Sequence, residues 1–291
     1  MATNLWDLLS ESKHIIKANR RHFLTLSFIF LLPLSFSSLI IYSFLSHTPF
    51  YFPLLCSLFS LVFSNCAVIS ITYSAFHFFY GEPVNLSSAI KSISTSFLPL
   101  FATTIVSQFI LFFIFLFYGL LLLLIIFGAE VLNVTIPFSS PYFIGFIVAL
   151  PLLLVVLYFQ VNLTLVPVLV VLESCWGLEP LRRSMRLIRG MKRLALSSFF
   201  FFGFFMGIFM WSCLFLTRGS FGIDENLGFG VRDWVLIVAN SYFIAMLMLS
   251  SVVVNTVLYI YCKANHGEFA HEFRKDYVSL PLHDGKASLH V

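Results

Sequence analysis

The chain has 291 residues, 59% of them hydrophobic and 10% charged, with a mean hydropathy of +0.97 and a formal net charge of +4. Soluble domains carry about 25% charged residues, and no globular core absorbs apolar runs of the length found here. A helix needs about 20 apolar residues to span a bilayer, and lipid admits only helices or closed barrels. The runs are continuous rather than alternating, which predicts an all-α, polytopic membrane protein.

In chain order, residues 1–21 hold Lys13, Lys17, Arg20 and Arg21 and are expected to form an N-terminal amphipathic helix on the cytoplasmic side. The apolar run starting at His22 is too long for a signal-peptide core, and no small-residue cleavage site follows it, so the first span is read as retained. Six spans are expected within a membrane domain of 22–262: about His22 to Ser46, Phe52 to Tyr80, Phe97 to Phe127, Tyr142 to Leu172, Leu194 to Thr217, and Trp234 to Cys262. Pro151 and Pro167 are expected kink sites in the fourth. Residues 263–291 form a tail.

Lys and Arg counts set the orientation. Residues 1–21 carry four, the 81–96 loop one, 173–193 six and the tail from Lys263 four; only Arg218 and Arg232 lie on the other side. The side with most of the cations is expected to be cytoplasmic, with both termini there. Asn133-Val-Thr135 is then a glycosylation sequon on the opposite side, placed so near a span end that it is expected to stay unmodified.

An internal repeat organises the chain. SKHIIKANRR (12–21) aligns without gaps to SMRLIRGMKR (184–193), and AIKSISTSF (89–97) is a weaker copy. Each precedes an odd-numbered span. The expected architecture is three parallel repeats, about 5–80, 85–172 and 178–262, each an interfacial amphipathic helix followed by a two-span hairpin.

The third interfacial helix, 178–193, is the most strongly patterned. Leu178, Leu181, Met185, Ile188 and Met191 recur on one face at helical spacing, and Arg182, Arg183, Arg186, Arg189 and Arg193 occupy another. Lys192 falls on the apolar side, where its stem could snorkel. Gly177 ends the preceding span and Pro180 suits a first helical turn. Such a helix is expected to lie in the headgroup plane with its arginines on anionic lipid phosphates; a role confined to fixing topology is the alternative.

Ionisable residues are almost missing from the spans; Glu173 and Asp233 are expected at span ends in reach of water. The intramembrane polar set is uncharged: Asn65, Gln108, Gln160, Asn162, Asn240 and Asn255. These are expected to bond between helices, with an amide-lined transport site as the alternative. Cys56, Cys66 and Cys213 read as small apolar residues, while Cys175 and Cys262 fall at the cytoplasmic border, where acylation is an open question. HGEFAHEF (266–273) resembles one His box of a membrane desaturase, but no second box exists, and a solvated tail is favoured over a metal site. There is no P-loop, nucleophile elbow or dinucleotide fingerprint. No catalysis, cofactor or nucleic-acid partner is expected. Tyr277-Val-Ser-Leu280 in the tail fits the Tyr-x-x-bulky-apolar pattern that adaptor complexes read as an extended strand, but the pattern is short and an unread tail is favoured over it.

The stretch VPVLVVLESCWGLEPLRRSMRLIRGMKRLAL (166–196) resembles a signature of a prokaryotic membrane family that includes the membrane domain fused to some glycerophosphodiester phosphodiesterases. The ending VVVNTVLYIYCKANHGEF…DYVSLPL (252–282) is similar to an uncharacterised plant family of six-span proteins. These resemblances imply fold and topology and bring no activity. The functional expectation is therefore a non-catalytic multi-pass protein that organises lipid or protein partners at the cytoplasmic membrane face. The alternative is a transporter or channel for an uncharged or amphipathic solute.

Overall fold

A computed structural model describes residues 4–44, 51–131, 141–221 and 231–267. The described residues are helical, with no strand among them. Six helical segments are long and apolar enough to cross a membrane: Arg20–Leu39, Leu54–Phe79, Leu86–Leu124, Ala149–Glu173, Lys192–Ser212 and Trp234–Asn265. The packing is that of a protein whose outer solvent is lipid. Small or polar residues such as Ala67, Ser70, Ser74 and Ala245 are buried, while Phe112, Phe117, Leu124 and Trp211 are exposed. Small side chains let helices approach closely where no hydrophobic effect drives them together.

Helix α1 (Leu5–Ala18) opens with the Asn4 backbone N–H donating to the Asp7 carboxylate at 3.2 Å. Its Leu8, Ser12 and Ile15 are buried. The chain breaks at Asn19 (φ −116, ψ 38) and enters the first candidate span as α2 (Arg20–Leu26), a π-helical turn (Ser27–Leu31) and α3 (Leu32–Phe44). Helix α4 (Tyr51–Phe79) returns. The first span bonds to its neighbours through hydroxyls: Ser35 Oγ donates to the Ser241 carbonyl at 2.9 Å, and His22 Nε2 lies 2.9 Å from Ser74 Oγ.

The second unit departs from expectation. Where a separate interfacial helix was expected before the third span, α5 (Leu86–Val131) runs unbroken for 46 residues, passing through Pro99. At 1.5 Å per residue it is about 69 Å long, roughly twice the hydrocarbon thickness. It is therefore longer than one crossing needs, and the residues expected to form the second interfacial helix are continuous with the span.

The fourth span is the broken one. Helix α6 (Pro141–Asn162) contains Pro151 and stays helical through it, while α7 (Val166–Glu173) begins beside Pro167. Pro167 has no N–H to offer, and the ladder tightens: the Val166 N–H bonds to the Leu163 carbonyl at 3.0 Å instead of reaching back to Asn162. The Asn162 carbonyl is left without its helical donor.

Helix α8 (Glu179–Leu187) follows, then a 3₁₀ turn (Ile188–Gly190), α9 (Lys192–Phe221) and α10 (Val231–Asn265). Glu179 and Pro180 suit the first turn of α8 and Arg186 the last, in accord with the helix dipole. Helix α10 is central and packs against α1, α3, α4 and α9. Gly190 allows its end to come close, since a Cβ there would meet Asn265 Nδ2 at 2.7 Å.

Candidate functional site

The polar chemistry of the described residues concentrates where α7, α8 and the end of α10 meet. Helix α7 ends on Glu173, a carboxylate at the negative pole of the helix dipole and therefore in need of compensation. Tyr259, 1% exposed, donates its hydroxyl to Glu173 Oε1 at 2.7 Å. Arg183 Nε lies 2.8 Å from Oε2, an ion pair by distance whose N–H is not aimed along the hydrogen-bond direction. Lys263, 8% exposed, stands 5.9 Å above the Tyr259 ring. The Glu173 side chain keeps only 12% of its exposure. It is thus a nearly buried partner in a network, although its place at a span end suggests a water-facing residue.

The turn between α7 and α8 is held by its own backbone geometry. Ser174 (φ 53) and Gly177 (φ 77) both adopt left-handed conformations, and the Gly177 N–H donates to Thr103 Oγ1 of α5 at 3.1 Å. This reversal aims Ser184 at the break in the fourth span. Ser184, fully buried, donates its hydroxyl to the orphaned Asn162 carbonyl at 2.6 Å.

That bond sets the rotation of α8. Leu181, Ser184, Leu187 and Ile188 are buried, whereas Leu178 and Met185 are exposed. The apolar stripe is divided between two environments: Leu181 and Ile188 join Ser184 and Leu187 against the bundle, while Leu178 and Met185 stay on the outer side. Arg182, Arg186, Arg189 and Arg193 are exposed, and Arg183 is drawn inward to Glu173. Exposed Leu178, Met185 and Trp176 stand among the guanidiniums, so the free side combines cations with apolar side chains. Lys192 is exposed with Nζ 5.3 Å from the Tyr158 ring centroid.

The six amides fall into different settings. Asn240 bonds between helices, accepting from Ser212 Oγ at 3.2 Å while its Nδ2 donates to the Leu236 carbonyl at 3.0 Å. Asn162 is buried, but its side chain bonds within α6, to the Tyr158 carbonyl at 2.7 Å. Asn65 is 6% exposed with Nδ2 unpaired among the described residues. Asn255 is half-buried, and Gln108 and Gln160 are exposed. The structure does not bring these six together into one site.

Cys175 is half-buried beside the network. Burial pushes its thiol above the ordinary range, Glu179 and Glu173 push it further, and Arg183 opposes them. Cys262 is fully buried. Among the described residues no three His, Cys, Asp or Glu side chains gather as metal ligands. Glu268, His271, Asn133, Tyr277 and Leu280 lie outside the described residues.

Several cavities remain among the described residues. One of about 350 Å³ is mostly apolar and lies between the π-helical turn and α10, lined by Ser27, Phe28, Tyr242, Ala245 and Met246 among others. Another, about 820 Å³, lies at the α1–α2 break and mixes charged with apolar lining residues. Hydropathy and helical spacing had flagged Arg183 and Ser184 only as members of patterns. Tyr259, Thr103 and Lys263 carried no signal of their own, since their roles arise from which helices meet.

No curated protein and no solved structure matches the chain. A family model described as "Domain of unknown function (DUF8558)" matches residues 42–274, most of the sequence, and the protein belongs to that family.

Proposed function

We propose that this is a non-catalytic multi-pass membrane protein that organises anionic lipid at the cytoplasmic face, with α8 as its contact surface. The observation that carries the reading is the way α8 is held. One side is fastened to the bundle through Ser184–Asn162 and Arg183–Glu173, and the other presents Arg182, Arg186 and Arg189 with exposed Leu178 and Met185. Such a surface seats its apolar residues in the acyl boundary and its guanidiniums on phosphates, at about 1 kcal/mol per cation near an anionic surface.

The three-repeat architecture belongs to the same proposal and draws support from burial. Aligned positions Ser12, Ala89 and Ser184 are all buried, as are Phe23, Leu100 and Ala195, then Leu26, Thr103 and Ser198. The intervening His14, Lys91 and Arg186 are all exposed. A single register over three copies is what parallel repeats require. The likeness to six-span plant proteins and to the prokaryotic membrane domain is compatible with this layout.

The test is retention of anionic lipid by the full chain, purified from mixed bilayers and read by lipid mass spectrometry. Arg182→Gln, Arg186→Gln and Arg189→Gln combined should lower the retained anionic fraction several-fold, and added salt should do the same to the parent protein. Retention unchanged by both would reject the reading. The apolar cavity beside the π-helical turn favours a second reading, a carrier of an amphipathic solute, because π-turns interrupt helices at functional positions. Ala245→Phe would fill that cavity and leave lipid retention by α8 intact.

A further inference from the structure

We infer that the notch at the α1–α2 break is a binding site for a phosphomonoester group, built separately from the α8 surface. Lys17, Arg20, Arg21 and His22 line one wall of the 820 Å³ cavity, and Phe78, Gly81, Glu82 and Pro83 are across it. Helical spacing already makes both Arg20 (i+3) and Arg21 (i+4) neighbours of Lys17, and the break at Asn19 opens a notch beside them. With φ −116 and ψ 38 at Asn19, all three side chains line the same notch.

Charge defines the ligand. Lys17, Arg20 and Arg21 are exposed and make no ion pair with an acid among the described residues. The one carboxylate in the lining, Glu82, is engaged by His77 Nδ1 at 2.5 Å. His22 turns its Nε2 to Ser74 Oγ at 2.9 Å. The cavity thus holds three cations against one occupied acid. A phosphodiester lipid offers a single negative charge, whereas a phosphomonoester carries about −1.5 to −2 and oxygens that match the guanidinium fork.

Position and size agree with such a group. Arg20 is the first residue of the first candidate span and Phe79 the last of the second, so the notch sits at headgroup depth. Ligand pockets run from about 300 to 1,000 Å³, which makes this one large enough for a phosphorylated headgroup and not merely a lone ion. Beside it, the rings of His22, Phe23 and Phe78 pack edge-on with centroids 5.2 to 5.9 Å apart.

The experiment uses the full chain in nanodiscs of neutral lipid doped with either phosphatidic acid or charge-matched phosphatidylserine, read by native mass spectrometry of retained lipid. The expected result is preferential retention of phosphatidic acid, falling roughly fivefold for each arginine removed in Arg20→Gln and Arg21→Gln. Arg182→Gln with Arg186→Gln should leave that preference intact, which separates this site from the α8 proposal. Arg20→Lys with Arg21→Lys keeps the charge and should retain phosphatidic acid partially, guarding against a misfolded variant. Inorganic phosphate added as competitor distinguishes the sources: displacement at sub-millimolar concentration assigns the site to free phosphate, and no displacement assigns it to a headgroup. Equal retention of the two lipids with no phosphate binding, or a preference untouched by both arginine changes, overturns the proposal.

Discussion

The Ser184 hydroxyl closes a gap that Pro167 opens, donating at 2.6 Å to the Asn162 carbonyl that the broken helix leaves without its own donor. Ser12, which aligns with Ser184 in the repeat, also donates to a carbonyl, but to Leu8 within its own helix at 2.8 Å. The two serines should therefore differ in worth. Ser184→Ala leaves a buried acceptor unpaired and should cost about 1–3 kcal/mol, while Ser12→Ala should cost under about 1 kcal/mol. Unfolding of the purified protein in detergent, followed as a midpoint shift, separates them. Equal shifts would mean that Ser184 is only a small residue at a packed position.

Arg183 should behave unlike its neighbours. Its partner Glu173 is nearly buried and also holds Tyr259, so removing the guanidinium strands a carboxylate at the wrong end of a helix dipole. Breaking a buried pair is costly, but Arg183 keeps 35% of its side-chain exposure and water moderates the loss. Arg183→Gln is expected to destabilise the fold by about 1–2 kcal/mol. Arg182→Gln and Arg186→Gln, both exposed, should leave the unfolding midpoint within about 0.5 kcal/mol of the parent. A common effect of all three on stability would contradict the division of roles.

All six apolar segments were legible in the sequence because transfer into lipid is a property of each residue run taken alone. Pairing is different. The sequence shows Pro167 as a kink site, but the carbonyl it orphans finds its donor 22 residues further on, and hydropathy does not encode that meeting. For the same reason helical spacing groups Leu178 and Met185 with Leu181 and Ile188 and gives Ser184 no weight of its own. Glu173 was read as solvated because it ends an apolar run; Tyr259 and Arg183 reach it from elements that the run does not contain. Of the six amides, Asn240 bonds to a side chain of another helix, Ser212. Gln108 is exposed on the single chain, so its place in an apolar run gives it no partner by itself.

Cys175 offers a pH-dependent readout of the network. Burial, then Glu179 and Glu173, raise its thiol, so less thiolate is present at neutral pH than in a free cysteine. Alkylation by iodoacetamide, followed on the Cys175 peptide by mass spectrometry, should be slow near pH 7.5 and climb with pH through a midpoint above the ordinary thiol value. Removing a raising charge with Glu179→Gln should speed the reaction at fixed pH. Removing the opposing one with Arg183→Gln should slow it. The same ordering governs uncatalysed acylation, which needs the thiolate. Reaction as fast as a free thiol at neutral pH would show that the carboxylates do not act on it.

Sidedness joins the charge count to the packing. Fifteen of the 17 Lys and Arg residues fall in the segment 1–21, the 81–96 loop, 173–193 and the tail from Lys263. The structure draws three of these segments together: Glu11 of α1 accepts from Tyr261 of α10, Tyr259 meets Glu173 beside α8, and Gly190 faces Asn265. A topology that put α1 and the end of α10 on opposite sides would break those contacts. Both termini are therefore expected on the cytoplasmic side, by the positive-inside rule. Translation into sealed microsomes with an epitope tag at each end provides the measurement. Added protease should remove both tags without detergent, and the Asn133 sequon should face the lumen. Protection of the tail tag alone would require an odd number of crossings, and with it the loss of the Glu11–Tyr261 contact. Protection of both tags would invert the molecule and place the α8 arginines in the lumen, away from the anionic leaflet they are proposed to meet.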